Sequence, residues 1–151
     1  MEHVAELSGR HVSQRLPAKW YKTIDKVAPK LLSAPKLLLE DMKARPEPVL
    51  DLGAAYPHHN LYYLTSTVWD LRVLGGLVLS EVVEAQIAAY TVKMRGGTLR
   101  FQSQYLRRLR VPAPDAIPLA VQAQLRRAFD DRDVSLATVA ALEAYGLKKL
   151  P

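Results

Sequence analysis

Residues 61–92 read LYYLTSTVWDLRVLGGLVLSEVVEAQIAAYTV, and the hydrophobic period changes part-way along. Leu61-Tyr62-Tyr63-Leu64-Thr65-Ser66 is rich in aromatic and β-tolerant residues and reads as a strand. Beyond it Leu71, Leu74 and Val78 fall at i, i+3, i+7, the spacing of one helix face, with Thr65, Ser66 or Thr67 available to cap the start. A second helix is expected from about Glu81 to Val92, with Val83, Ile87 and Tyr90 on roughly one face. Gly96-Gly97 breaks it as a hinge, while Gly75-Gly76 reads as close helix packing.

Working outward, Pro35 precedes Lys36-Leu37-Leu38-Leu39, a short apolar run that suits a buried strand, and Pro48 to Gly53 reads as another. Between this strand and the one at Leu61 lies a turn-forming stretch, Ala54 to Asn60, containing Pro57, His58 and His59. Downstream, Thr98 to Val111 is expected to be extended, up to Pro112-Ala113-Pro114. One closing helix begins near Pro118, with Val121, Leu125 and Phe129 on one face; the other runs from about Ser135 to Tyr145 and stops at Gly146. Strands first, helices in the middle, an extended pair, then helices: this order reads as α+β, with a small mixed or antiparallel sheet, central helices and a C-terminal helical pair. Residues 1–19 are expected to be a helix or arm, tied to the core by Trp20-Tyr21. Residues 20–117 are expected to form the α+β domain and residues 118–151 a C-terminal helical extension.

A chain of 151 residues is long enough for one domain with a real core, and 49% hydrophobic with 24% charged residues suits a water-soluble one. The formal net charge of +6 points to acidic partners, nucleic acid ahead of an anionic membrane. With no cysteine there is no disulfide framework and no Cys-based metal site. The longest apolar run, Val73 to Leu79, falls far short of the ~20 residues that span a bilayer, and Met1-Glu2-His3 starts acidic, unlike a signal peptide. A cytoplasmic location without a membrane partner is expected.

The charge is concentrated. From Ala85 to Pro114, 30 consecutive residues contain no Asp or Glu, yet they carry Lys93, Arg95, Arg100, Arg107, Arg108 and Arg110. Tyr90, Phe101, Tyr105, Gln102 and Gln104 are interleaved with them. Arginine forks grip phosphates or guanine edges, and Gln amides read adenine, so this chemistry suits a polyanion. The plain alternative is a solvated Arg-rich hairpin. The His58-His59-Asn60 loop is a second candidate for recognition. Lys36, a single charge at a strand start, is a third, able to reach a phosphate; the plain alternative is an ordinary surface lysine. Catalytic signals are poor. His3 and His11 lie in the N-terminal segment, and the adjacent pair His58-His59 lacks the i, i+4 spacing of helical metal ligands. Glu40, Asp41 and Asp51 read as edge or turn carboxylates. There is no Gly-x-Gly-x-x-Gly, Walker-type loop or Gly-x-Ser-x-Gly elbow. No catalytic residue, metal ligand or cofactor site is assigned, and the chain alone does not read as an enzyme; a small hydrolase built on His58 or His59 would lack any nucleophile–base signature. A protein-interaction module docking through 118–129 and 135–145 is the competing class.

The motifs also have an order. Trp20-Tyr21 is followed by Pro35-Lys36-Leu37-Leu38, by His59-Asn60-Leu61-Tyr62-Tyr63-Leu64, and by Leu74 to Ser80. Then come Gly96-Gly97 with Arg100-Phe101, Tyr105-Leu106 and Leu109 to Pro114, with Phe129 to Asp133 and Tyr145-Gly146-Leu147 near the end. Over residues 15–147 this resembles the C-terminal specificity, or target-recognition, domain of TaqI-like N6-adenine DNA methyltransferases of bacterial restriction–modification systems. One departure is Val78-Leu79-Ser80, where many such chains have Asn before the Ser. Another is that the Asn-Pro-Pro-Tyr (or Phe) motif and the glycine-containing S-adenosylmethionine loop do not occur. The resemblance implies a recognition part whose S-adenosylmethionine binds a separate catalytic domain, present in cis or in trans, with double-stranded DNA as the other partner. It implies phosphate contacts from Lys93, Arg95, Arg100, Arg107, Arg108 and Arg110, with Lys36 a further candidate. Base contacts are expected from Gln102, Gln104, Arg100 and the His58-His59-Asn60 loop.

Overall fold

The computed structural model describes residues 28–91, 94 and 96–150. The expected N-terminal arm, Trp20-Tyr21, Lys93 and Arg95 lie outside the described residues. The elements run α1 (Pro29–Ser33), β1 (Lys36–Glu40), β2 (Met42–Lys43), β3 (Val49–Asp51), β4 (Leu61–Leu64), α2 (Leu71–Leu79) and α3 (Glu81–Tyr90). They continue with β5 (Leu99–Arg100), α4 (Ser103–Leu106), a 3-10 turn at Pro114–Ala116, α5 (Leu119–Asp131) and α6 (Val134–Ala144). The fold is α+β, with six helices and two small antiparallel sheets among the described residues.

The apolar run after Pro35 becomes the central strand. β1 pairs with β3, placing Lys36 opposite Asp51, and with β4, placing Leu37 opposite Leu64 and Leu39 opposite Tyr62. Strand side chains alternate, so Leu37 and Leu39 share one face and both are fully buried. They join Leu74, Val78, Val83, Ile87, Phe101 and Phe129 in one cluster.

The 61–92 stretch folds as its periodicity requires, with the caps differently assigned. Asp70, not Thr65, Ser66 or Thr67, caps α2 by accepting the Arg72 N–H at 2.8 Å. Ser66 Oγ accepts the Val68 and Trp69 N–H groups and turns the chain before that helix. Ser80 both ends α2 and caps α3: its hydroxyl donates to Leu77 O at 2.6 Å and accepts from Val83 N–H. The two helices meet there at 67°, and no single helix among the described residues is long and apolar enough to cross a membrane. Leu79, the residue before Ser80, is buried with Ala128 and Ala137, so an apolar side chain is what this position packs.

The segment from Thr98 to Val111 departs from the extended reading. Only Leu99–Arg100 is a strand, paired with Met42–Lys43, and Ser103–Leu106 is a short helix. Leu99 and Phe101 alternate inward as a strand would, but the next buried residue is Leu106. One turn of helix returns the chain to the core at that distance.

The helical pair at the end packs onto α2. Val121 and Leu125 of α5 and Ala140 and Ala141 of α6 share a cluster with Val73 and Leu77. The glycine pair permits the contact. A Cβ on Gly76 would stand 2.3 Å from the Leu125 carbonyl oxygen, and one on Gly75 would stand 2.5 Å from the Phe129 ring. Arg72–Asp130 and Asp70–Arg126 ion pairs close the rim of the same contact.

Candidate nucleic-acid interface

The basic segment is held in place by a side chain far from it in sequence. Gln86, on α3, meets the backbone of Arg110 with both ends of its amide: Oε1 accepts the Arg110 N–H at 3.0 Å and Nε2 donates to Arg110 O at 3.2 Å. Tyr145, just after α6, donates its hydroxyl to the same carbonyl at 2.8 Å and accepts from Gln86 Nε2. Burial pushes the Tyr145 hydroxyl above its ordinary pKa, so it remains a donor at neutral pH. With its backbone satisfied, Arg110 turns an exposed side chain outward.

Arg107 and Arg108 are exposed at the end of α4, and the Arg108 guanidinium lies 5.4 Å from the centre of the Tyr90 ring. Among the described residues, none of Arg107, Arg108 and Arg110 has a carboxylate within ion-pair distance. Gln104 is exposed on α4 and donates to Gln102 Oε1 at 3.2 Å, so the two amides stand together.

One expected contact is corrected, and a second is already engaged within the protein. Lys36 has no exposed surface. Its ammonium donates to Leu31 O at 2.9 Å and Ala34 O at 3.1 Å and pairs with Asp51, tying the end of α1 to the sheet. It cannot reach a DNA phosphate. Arg100 is half-buried and grips Asp41 with both fork positions, Nε at 3.1 Å and Nη2 at 2.6 Å. The acid-free segment thus receives a carboxylate from outside itself, and Arg100 serves the β1–β5 connection. Sequence distance hid this pair.

His58, His59 and Asn60 are exposed. His58 Nδ1 lies 3.0 Å from Asn60 Oδ1, and the two imidazole rings have centres 3.9 Å apart at 48°. Folding brings this loop beside Arg107: both line an open groove of about 560 Å³ along β4, together with Tyr56, Tyr62 and Tyr63. Sequence reasoning joined neither the two candidates nor the tyrosines around them. It also missed Gln86 and Tyr145; their signals were a Gln inside the acid-free window and the Tyr145-Gly146-Leu147 tail.

Type II methyltransferase M.PaeR7I of Pseudomonas aeruginosa is 46% identical over 141 residues, which is 93% of this chain and 25% of that protein. The chain is a relative of type II methyltransferases. Type II methyltransferases M.XhoI of Xanthomonas vasicola, 43% identical, and M.BstVI of Geobacillus stearothermophilus, 40% identical, each match 98% of the chain. The chain covers 27% and 26% of those two proteins, so it spans about a quarter of the length of the type II methyltransferases it matches. No protein-family model matches it.

Proposed function

We propose that this chain is the target-recognition part of an N6-adenine DNA methyltransferase of a restriction–modification system, holding duplex DNA in register for a catalytic part supplied in cis or in trans. The observation that carries the reading is the Gln86–Arg110–Tyr145 clamp, which presents Arg107, Arg108 and Arg110 from a segment without carboxylates. Similarity to one quarter of several type II methyltransferases supports it. An enzyme that modifies a base inside a duplex must take that base out of the stack, and a second surface is then needed to hold the flanking sequence.

The three arginines grip phosphate oxygens, which gives affinity and register. Gln104 on α4 and Gln102 just before it, with the His58-His59-Asn60 loop, are the groups for base edges. S-adenosylmethionine does not fit the described residues. A nucleotide-type cradle needs a glycine turn that leaves a strand and opens a helix. Here Gly53 backs onto the Ser33 carbonyl before β4, Gly75 and Gly76 are filled by α5, and the Gly96-Gly97 turn runs from a helix to a strand. The cofactor belongs to the catalytic part.

The test is binding of the whole chain to labelled mixed-sequence duplex DNA across a salt series. Log affinity is expected to fall linearly with log salt, by about 0.9 per phosphate contact. Arg107→Ala is expected to shallow that slope by about one and to weaken all sequences alike. Gln104→Ala is expected to relax preference at one base pair. Duplex binding that is absent at low salt, or indifferent to salt, overturns the reading.

A further inference from the structure

The groove along β4 joins Arg107 and the His58-His59 loop, already given contacts to duplex DNA, to tyrosine rings that those contacts do not use. Its lining combines five aromatic or imidazole-bearing positions around the loop and strand, Tyr56, His58, His59, Tyr62 and Tyr63, with Arg107. None of the lining residues is Asp or Glu. Tyr56 and Tyr63 remain 41% and 46% exposed, so both side chains are accessible at the surface and not part of the core. Both ends of this wall are fixed. The Tyr56 hydroxyl accepts the Ala28 N–H at 3.1 Å, and Tyr63 sits in register opposite Leu38. Arg107 is anchored through its own N–H, which donates to Ser103 O at 3.0 Å.

A volume near 560 Å³ is on the scale of small-molecule sites, which run from about 300 to 1,000 Å³. Ring faces beside a guanidinium, with no carboxylate among them, match a planar base attached to a phosphate. A base paired within a duplex shows only its edges, so a ring face can be used only by a base that has left the stack. Two other grooves lack the combination: one is lined by Glu40, Glu47, Arg45 and Arg132 among others, and another by Pro35, Thr65, Ser66 and Thr67 without any aromatic ring.

Resting on the proposed DNA-binding reading, we infer that this groove is a site for one unstacked nucleotide of the bound DNA. Its base lies against the Tyr63 and His59 rings, and its phosphate meets Arg107. Arg107 is thereby shared between the groove and the phosphate-gripping surface that continues through Arg108 and Arg110.

The experiment compares the whole chain on two labelled duplexes of one sequence, one fully paired and one carrying a single unpaired 2-aminopurine nucleotide. The unpaired form is expected to bind at least about fivefold more tightly, the low end of one stacked base. Its 2-aminopurine fluorescence is expected to change on binding. The readout for variants is the ratio of the two affinities. Tyr63→Ala and His59→Ala are expected to bring the ratio toward one, and Tyr63→Phe, which keeps the ring face, to preserve it. Thermal melts of the same variants establish that they are folded. Binding of the paired duplex with a ratio of one, or a ratio that survives both alanine variants, overturns the nucleotide site and leaves the DNA-binding reading standing. No binding to either duplex at low salt overturns both.

Discussion

At position 36 an ammonium group lies wholly inside the protein, and its partners explain why that is tolerated. A buried charge is costly unless it is paired and hydrogen-bonded, and Lys36 has Asp51 opposite it and two carbonyls at the end of α1. The Lys36 ammonium, with the Ala54 N–H, holds the Asp51 carboxyl down at about 2. In the unfolded chain that carboxyl titrates near 3.8. A carboxyl whose pKa is lower in the native state stabilises the fold fully above about pH 4, and the contribution is lost as pH falls toward 2. Urea midpoints measured from pH 5 down to 2.5 are therefore expected to fall in the parent chain and to fall less in Lys36→Met. That variant is also expected to lose about 2 kcal/mol or more at neutral pH, because it leaves buried carbonyls without a donor.

Among the elements, α2 and α5 come closer together than side chains would allow. The two glycines facing α5 are not equivalent. A methyl group at position 76 meets backbone, the Leu125 carbonyl, which cannot rotate away; one at position 75 meets the Phe129 ring, which can shift. Gly76→Ala is expected to cost about 2–3 kcal/mol by forcing the helices apart, and Gly75→Ala measurably less. Denaturant midpoints of the two variants decide this, and equal losses would mean that the helix contact is looser than the structure has it. The same helices are tied to the sheet by Arg132. It sits left-handed between α5 and α6 with φ of 56°, lies over the Phe129 ring, and donates to the Pro48 carbonyl.

For the molecule as a whole, the clamp at Arg110 joins three segments: the middle of α3, the chain after α4, and the end of α6. The C-terminal helices thus help to position the basic surface as well as to cover α2. Gln86→Leu keeps the size of the side chain and removes its two bonds to Arg110. It is expected to reduce stability by about 1–2 kcal/mol. Affinity for duplex DNA is expected to drop severalfold, equally for all sequences, while far-UV circular dichroism is retained. If affinity were unchanged in the folded variant, the Arg110 conformation would have no part in binding.

Periodicity alone determined much of this protein. The three strands of the main sheet, the two middle helices and the closing pair were legible because burying one face imposes a period of two on a strand and 3.6 on a helix. The end of α6 at Tyr145-Gly146 was legible for the same local reason. The basic character of residues 85–114 was equally plain, since counting charges needs no fold. What each charge does was a different matter. Lys36 and Arg100 looked like surface cations until folding set Asp51 and Asp41 beside them, and β2 became visible only as a partner for β5. The helix at Ser103–Leu106 replaced an expected strand because the core, not local propensity, dictated where Leu106 had to return. The meeting of Arg107 with the His58-His59 loop, and of Gln86 with Arg110 and Tyr145, was decided by tertiary structure. Local pattern reports which face of an element is buried; which distant side chain arrives there is settled only when the elements pack.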